Sequence, residues 1–172
     1  MKTEWDYTNL AEAYLHRPEY AASAILEMFE RAGLKPGDSA CDVGAGAAHL
    51  TLELAKLGLR IWAVEPNDAM RRNGTRRTAD YPGVQWFEGI GEDTGMEAAK
   101  FDLVTFGSSF NVCDRQKALI ETSRILKPGG YFACMWNHRD LSDPLQQKIE
   151  AVIKQNIPNY AYGTRREDQT AV

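Results

Sequence analysis

Residues 41–51, Cys-Asp-Val-Gly-Ala-Gly-Ala-Ala-His-Leu-Thr, and residues 61–66, Ile-Trp-Ala-Val-Glu-Pro, decide the fold. The first run is strand-like up to Val43, then turns on Gly44 and Gly46. Leu50, Leu52, Leu54 and Leu57 follow on a helix that Gly58 stops, and the second run is a strand ending on the carboxylate of Glu65. Strand, glycine turn, helix and strand in this order form a unit of the kind that takes the adenosine end of a cofactor. Gly44 and Gly46 let the backbone turn tightly and approach a ligand, while the helix offers unpaired N–H groups and a positive dipole end. Glu65 stands nineteen residues past Gly46, where a carboxylate accepts the hydroxyl protons of a ribose.

The spacing of the small residues separates two cofactor classes. A dinucleotide turn reads G-x-G-x-x-G, and its third glycine lets helix and strand pack closely; here that position is His49, which counts against NAD and a nucleotide-dependent oxidoreductase. The pattern acid-x-Gly-x-Gly-x-small is met by Asp42, Gly44, Gly46 and Ala48. It resembles motif I of the class I S-adenosylmethionine-dependent methyltransferases, in the type 11-like branch that acts on small molecules. The resemblance implies S-adenosyl-L-methionine as cofactor, Asp42 facing its ammonium, the turn Gly44, Ala45 and Gly46 against it, and Glu65 with Pro66 at the ribose. It also implies an α/β fold, a Rossmann-like doubly wound and mostly parallel sheet with helices on both faces and strand order 3-2-1-4-5.

Composition agrees with one domain. The 172 residues are 44% hydrophobic and 26% charged, close to ordinary globular chains and far from disordered or fibrous ones. No apolar run reaches the roughly 20 residues of a membrane span, and the opening Met-Lys-Thr-Glu-Trp-Asp lacks a signal-peptide core, so the expected location is the cytoplasm. A formal charge of −4 argues against nucleic acid and anionic membrane as partners and leaves a small-molecule acceptor as the default. Cys41, Cys113 and Cys134 are scattered with no C-x-x-C, which reads as buried thiols rather than disulfides or metal ligands.

The chain then divides into three stretches within that domain: an N-terminal helical cover over 1–32, the cofactor-binding core over 33–140 and a C-terminal helix and tail over 141–172. In the first, Trp5, Tyr7, Leu10, Ala13 and Tyr14 precede Arg17-Pro18, and Pro18 is expected to start a helix carrying Ala21, Ala24, Ile25, Met28 and Phe29. By the same resemblance, Tyr14 or Arg17 reaches the cofactor's carboxylate, Arg17 by a bidentate pair. In the core, Asn67 or Asp68 caps a short helix that places Met70 along the adenine face, and Arg71, Arg72, Arg76 and Arg77 form a solvated basic face. Residues 84–87 read as a third strand. Gly91 and Glu92 follow it, and since Ile90 stands where relatives carry an adenine-binding aspartate, these two are expected to read the adenine edge instead.

Phe101 to Phe106 is an apolar run suited to a strand buried on both faces, and Gly107-Ser108-Ser109-Phe110-Asn111 after it should border the transferable methyl, because open parallel sheets bind ligands beyond the carboxyl ends of their strands. Asn111 is the candidate catalytic residue: it can orient a nucleophile but not remove its proton. Lys127-Pro128-Gly129-Gly130 is expected to return the chain from a helix capped by Asp114 into a fifth strand over 131–136. Relatives continue with two further strands, for which no residues are found after 141. The expectation is therefore a sheet whose fifth strand is covered by the last helix or by a second copy in a homodimer, and the alternative function is a truncated or catalytically weak cofactor-binding domain with a role in binding or assembly.

Overall fold

A computed structural model describes residues 6–137 and 140–160. Five strands, β1 Ser39–Val43, β2 Arg60–Val64, β3 Val84–Phe87, β4 Phe101–Gly107 and β5 Leu126–Met135, form one all-parallel sheet in the order β3-β2-β1-β4-β5. The helices are α1 Ala11–Tyr14, α2 Ala22–Arg31, α3 His49–Lys56, α4 Asp68–Arg77, α5 Arg115–Ile125 and α6 Pro144–Asn156. This is the doubly wound α/β architecture and the strand order that the sequence predicts.

The alternation of side chains along the central strands divides the core in two. On one face, Cys41, Val43, Val104 and Phe106 pack with Phe110, Ala118 and Ile125 beneath α5; on the other, Ala40, Ile61 and Leu103 pack with Ile25 of α2 and Leu50 and Leu54 of α3. All five residues of β1 are buried, as a central strand covered on both faces requires. Side-chain caps start three helices: Asn67 Oδ1 accepts the N–H groups of Ala69 and Met70, Asp114 that of Lys117, and Asp143 that of Gln146 ahead of Pro144.

Two boundaries differ from expectation. Helix α2 begins at Ala22 rather than Pro18, because Glu19 and Tyr20 are drawn onto the core by side-chain bonds to His49, Arg77 and Ser108. Strand β5 begins at Leu126, not after the Lys-Pro-Gly-Gly run: Leu126 pairs with Phe101 and Tyr131 with Leu103, so the intervening residues, with Gly129 at φ +80°, form a bulge within the strand rather than a turn before it. The chain separates into two compact units, Met1–Trp136 and Asn137–Val172, the second containing α6. Among the described residues no helix is long and apolar enough to cross a membrane.

At the opposite end of the sheet from the glycine turn, Asp102 Oδ2 accepts the N–H (2.9 Å) and hydroxyl (2.7 Å) of Ser39, and the Lys127 ammonium lies 2.8 Å away. Burial opposes the charge, but these donors outweigh it and hold the carboxyl down at about 2. A carboxyl lowered in this way stabilises the fold above its unfolded value and loses that effect as pH falls through its folded one. Asp102→Ala is therefore expected to lose about 1–2 kcal/mol of unfolding free energy in urea at neutral pH, with the difference shrinking in melts near pH 2.

Candidate active site

The glycine turn lies at the carboxyl end of β1, between those of β2 and β4. Gly44 (φ +68°), Gly46 (φ +57°) and Ala48 (φ +71°) all adopt left-handed conformations, which reverse the chain within five residues. The two glycines have different tasks. A Cβ on Gly44 would lie 2.4 Å from Cβ of Ser109, whose hydroxyl donates to the Val43 carbonyl (2.6 Å). A Cβ on Gly46 would meet nothing nearer than 4.0 Å, so this glycine leaves an open face.

Two carboxylates flank the turn. Glu65, at the end of β2, is 6% exposed; its Oε2 accepts the Gly46 N–H (2.9 Å) and its Oε1 the Asn67 N–H (2.8 Å). Burial raises its pKa in spite of both donors, and each oxygen keeps a lone pair for a further hydroxyl. Asp42 has no exposed surface: its two oxygens accept the hydroxyls of Thr51 (2.6 Å) and Thr105 (3.0 Å), and burial pushes it up to about 6 against those bonds. Asp42 thus stands buried at the end of β1 with one hydroxyl from α3 and one from β4 on its two oxygens.

The N-terminal segment lies against this turn. Tyr7, Tyr14 and Leu15 pack with Ala11, Ala47 and Met70, the tyrosine rings edge to face at 5.4 Å, and the Arg17 guanidinium sits 4.8 Å from the centre of the Tyr14 ring. Side chains fasten the segment from α3 and α4. Asn67 donates to the Thr8 hydroxyl (3.0 Å), Asn73 to the Ala11 carbonyl (3.0 Å), and His49 Nε2 to the Tyr14 carbonyl (2.8 Å). Glu19 lies 3.1 Å from His49 Nδ1 and accepts from Arg77 (2.8 Å), which also donates to the Ala47 carbonyl (2.5 Å). Arg77 is thereby a cross-brace rather than part of a solvated face. Burial raises the pKa of Tyr7, and the Tyr14 ring beside it adds to that effect.

Other expected site residues are placed differently. Glu92 Oε1 accepts the Asp114 N–H (2.6 Å) and so holds the start of α5, while a Cβ on Gly91 would lie 2.5 Å from Cys113 Sγ. Both lie toward the start of α5. Asn111 is exposed in the short turn Phe110–Val112 and accepts from Trp136 Nε1 (3.4 Å). The three thiols are free; burial pushes Cys113 and Cys134 up to about 12 and Cys41 higher still, so none is a nucleophile near neutral pH. Tyr20 was not a sequence candidate, yet its hydroxyl bonds Ser108 Oγ (3.1 Å) at the end of β4. Its position in Arg17-Pro18-Glu19-Tyr20, just ahead of a helix, was the available signal.

Comparison with known proteins agrees with this arrangement. The family described as "Methyltransferase domain" matches residues 41–134. A demethylmenaquinone methyltransferase of Staphylococcus saprophyticus is 31% identical over 129 residues, covering 73% of this chain and 55% of that protein. An uncharacterized methyltransferase of Mycobacterium tuberculosis is 31% identical over 124 residues, covering 72% and 48%. The chain thus spans about half the length of the curated relatives it matches. Among solved structures, a protein of Methanococcus maripaludis provisionally assigned as an S-adenosyl-L-methionine-dependent methyltransferase superposes with a TM-score of 0.71 at 25% identity, covering 91% of this chain and 74% of that one. A methyltransferase of Aquifex aeolicus shares the fold, with a TM-score of 0.67 at 18% identity over 88% of both chains. With a matching domain over more than half its length, relatives 31% identical over nearly three quarters of it and this strand order, the chain belongs to the class I methyltransferase domain family that uses S-adenosylmethionine.

Proposed function

We propose that this chain transfers the methyl group of S-adenosylmethionine to a small-molecule acceptor. The observation that carries the reading is the bond from the Gly46 N–H to Glu65 Oε2, which joins the open turn to a buried carboxylate at the end of β2. The residues suit the cofactor: Gly46 leaves space where a side chain would stand, Glu65 keeps lone pairs for two ribose hydroxyls, and Tyr7 and Tyr14 supply aromatic faces above the turn. In this reading Glu65 and Pro66 hold the ribose, Met70 supports the base side and residues 1–32 cover the core over 33–140. Gly44, Ala45 and Gly46 bring the backbone close, and Arg17 with Tyr14 takes the carboxylate. Gly107 lies on the cofactor side, and Asn111 faces the acceptor and orients it by hydrogen bonds. The cofactor supplies an activated methyl for direct displacement; the protein binds, orients and excludes water.

A small-molecule acceptor is supported by the net charge of −4, which gives no basic footprint for nucleic acid, and by the named activity of the staphylococcal relative. A second copy of the chain pairing along the outer edge of β5 belongs to the same reading; sedimentation equilibrium showing only monomer at high concentration would remove it. Calorimetry tests the cofactor. Micromolar binding of S-adenosylmethionine and S-adenosylhomocysteine is expected, and binding of NAD alone overturns the assignment. Glu65→Ala should weaken both ligands by about 2 kcal/mol, roughly thirty-fold, through lost charge-assisted bonds. Unchanged affinity in that variant takes Glu65 out of the site.

A further inference from the structure

Of the four arginines on α4, two are spent inside the protein. Arg77 braces the cover, and Arg71 donates to the Glu65 carbonyl (2.6 Å), pairs with Asp68 and lies 3.6 Å from Glu88. Arg72 and Arg76 are left over. They are exposed and stand one helical turn apart; Arg76 is held through one nitrogen by Asn73 Oδ1 (3.0 Å), and Arg72 has no hydrogen-bond or ion-pair partner among the described residues. Like charges at that spacing weaken a helix, so the stability of α4 does not account for the pair.

Both line a cleft of about 480 Å³, together with Asp68, Arg71, Thr75 and Trp86. Its aromatic wall is fixed in place. Trp86, on β3, donates its Nε1–H to Thr78 Oγ1 (2.9 Å), and its six-membered ring lies against Gly74, where a Cβ would stand 2.1 Å from it. Glycine suits a helix interior poorly, and at this position it admits the ring. The Thr75 hydroxyl donates to the Arg71 carbonyl (2.9 Å), so the donors left to a ligand are the guanidinium groups of Arg72 and Arg76. None of the lining residues is assigned to the cofactor, and the volume is that of a small-molecule site.

We infer that this cleft binds a small phosphate monoester that carries a flat ring. Two guanidinium groups match a doubly charged phosphate, whose oxygens accept paired N–H bonds from each fork, and the ring packs against Trp86, where both apolar surfaces leave water. In a chain of net charge −4 the positive charge gathered here is local: enough for one such group and too little for the run of phosphates along a nucleic acid. The site stands apart from the methyl-transfer reading and does not depend on it.

The test is calorimetric titration of the whole chain with phenyl phosphate and with inorganic phosphate, probes that lack the adenosine and sulfonium of the cofactor. Wild type is compared with Arg72→Gln, Arg76→Gln and, as a control for charge removed elsewhere, Arg31→Gln, which breaks an exposed pair with Glu27 on α2. All three side chains are exposed, so the variants are expected to fold as wild type does. Phenyl phosphate should bind wild type at least about five-fold tighter than inorganic phosphate; Arg72→Gln and Arg76→Gln should each weaken it about five- to ten-fold, and Arg31→Gln should leave it within about two-fold. Amide shifts on titration should concentrate in α4 and β3. No binding by wild type at about 10 mM phenyl phosphate, unchanged affinity in the Arg72 and Arg76 variants, or shifts confined to the glycine turn would each overturn the inference. Equal affinity for the two probes would overturn its aromatic half, and a phosphotyrosine peptide binding about ten-fold tighter than phenyl phosphate would overturn the small-molecule assignment in favour of a phosphoprotein.

Discussion

Gly44→Ala is expected to lose on the order of 3 kcal/mol of unfolding free energy, enough to lower the melting temperature by several degrees. Two costs combine. The new methyl would stand 2.4 Å from Ser109 Cβ and 2.8 Å from its Oγ, a separation that forces backbone or side chain to move, and an alanine at φ +68° carries left-handed strain of about 1 kcal/mol besides. Moving Ser109 also breaks its 2.6 Å bond to the Val43 carbonyl, leaving an acceptor at the end of a fully buried strand without that donor. Gly46→Ala isolates the second cost: its φ of +57° is similar but its surroundings are open, so about 1 kcal/mol is expected there, together with loss of ligand affinity because the methyl fills the open face. Urea unfolding of both variants and of Gly44→Ala/Ser109→Gly measures the contact directly. The double variant should recover much of the loss; if Gly44→Ala costs as much in the Ser109→Gly background, the collision is not its cause.

The second large effect runs the other way. Asp42→Asn is expected to stabilise the ligand-free protein near pH 7.5 by on the order of 2–3 kcal/mol while weakening cofactor binding. Burial pushes the Asp42 carboxyl from 3.8 up to about 6, a difference of about 2 units, and each unit corresponds to about 1.4 kcal/mol between protonation states. The sign follows from proton binding. Between its unfolded and folded values the folded state holds the extra proton, so the cost of keeping a buried charge is present above about pH 6 and disappears as pH falls toward 4. Glu65 is raised as well and acts in the same direction. Wild type should therefore gain stability on mild acidification, and the advantage of Asp42→Asn should shrink to nothing near pH 4. The hydroxyls of Thr51 and Thr105 can rotate, one to donate to the amide oxygen and the other to accept from its nitrogen, so the substitution keeps both partners. Urea melts between pH 4 and pH 8 decide the matter: an asparagine variant less stable than wild type at pH 7.5 would show that the carboxylate is structural rather than a charge held for a ligand.

How far the sequence could be read followed the reach of each interaction. The unit from Ser39 to Glu65 was legible because its signals are local: glycine spacing, leucine periodicity and a carboxylate at a fixed distance along the chain. The caps at Asn67 and Asp114 were legible for the same reason, since each side chain bonds an N–H two or three residues on. Partnerships between distant residues were not. Tyr20 meets Ser108 across 88 positions and Arg77 meets Glu19 across 58, and no pattern in either neighbourhood announces the other. The early start expected for α2 failed for this reason: proline favours a helix start, but Glu19 and Tyr20 gain more from distant partners than from joining the first turn. The bond from the Asp114 amide to Glu92, 22 residues away, was out of reach of the sequence for the same reason.

The manner in which residues 6–20 are fastened has a consequence for motion. Nothing in that stretch belongs to the sheet; individual amide, imidazole, guanidinium and hydroxyl groups tie it down one at a time. Bonds of that sort can be released in succession without disturbing a β-ladder, so Asn67→Ala or Asn73→Ala is expected to speed amide hydrogen exchange across residues 6–17 while exchange in the sheet beneath is unchanged.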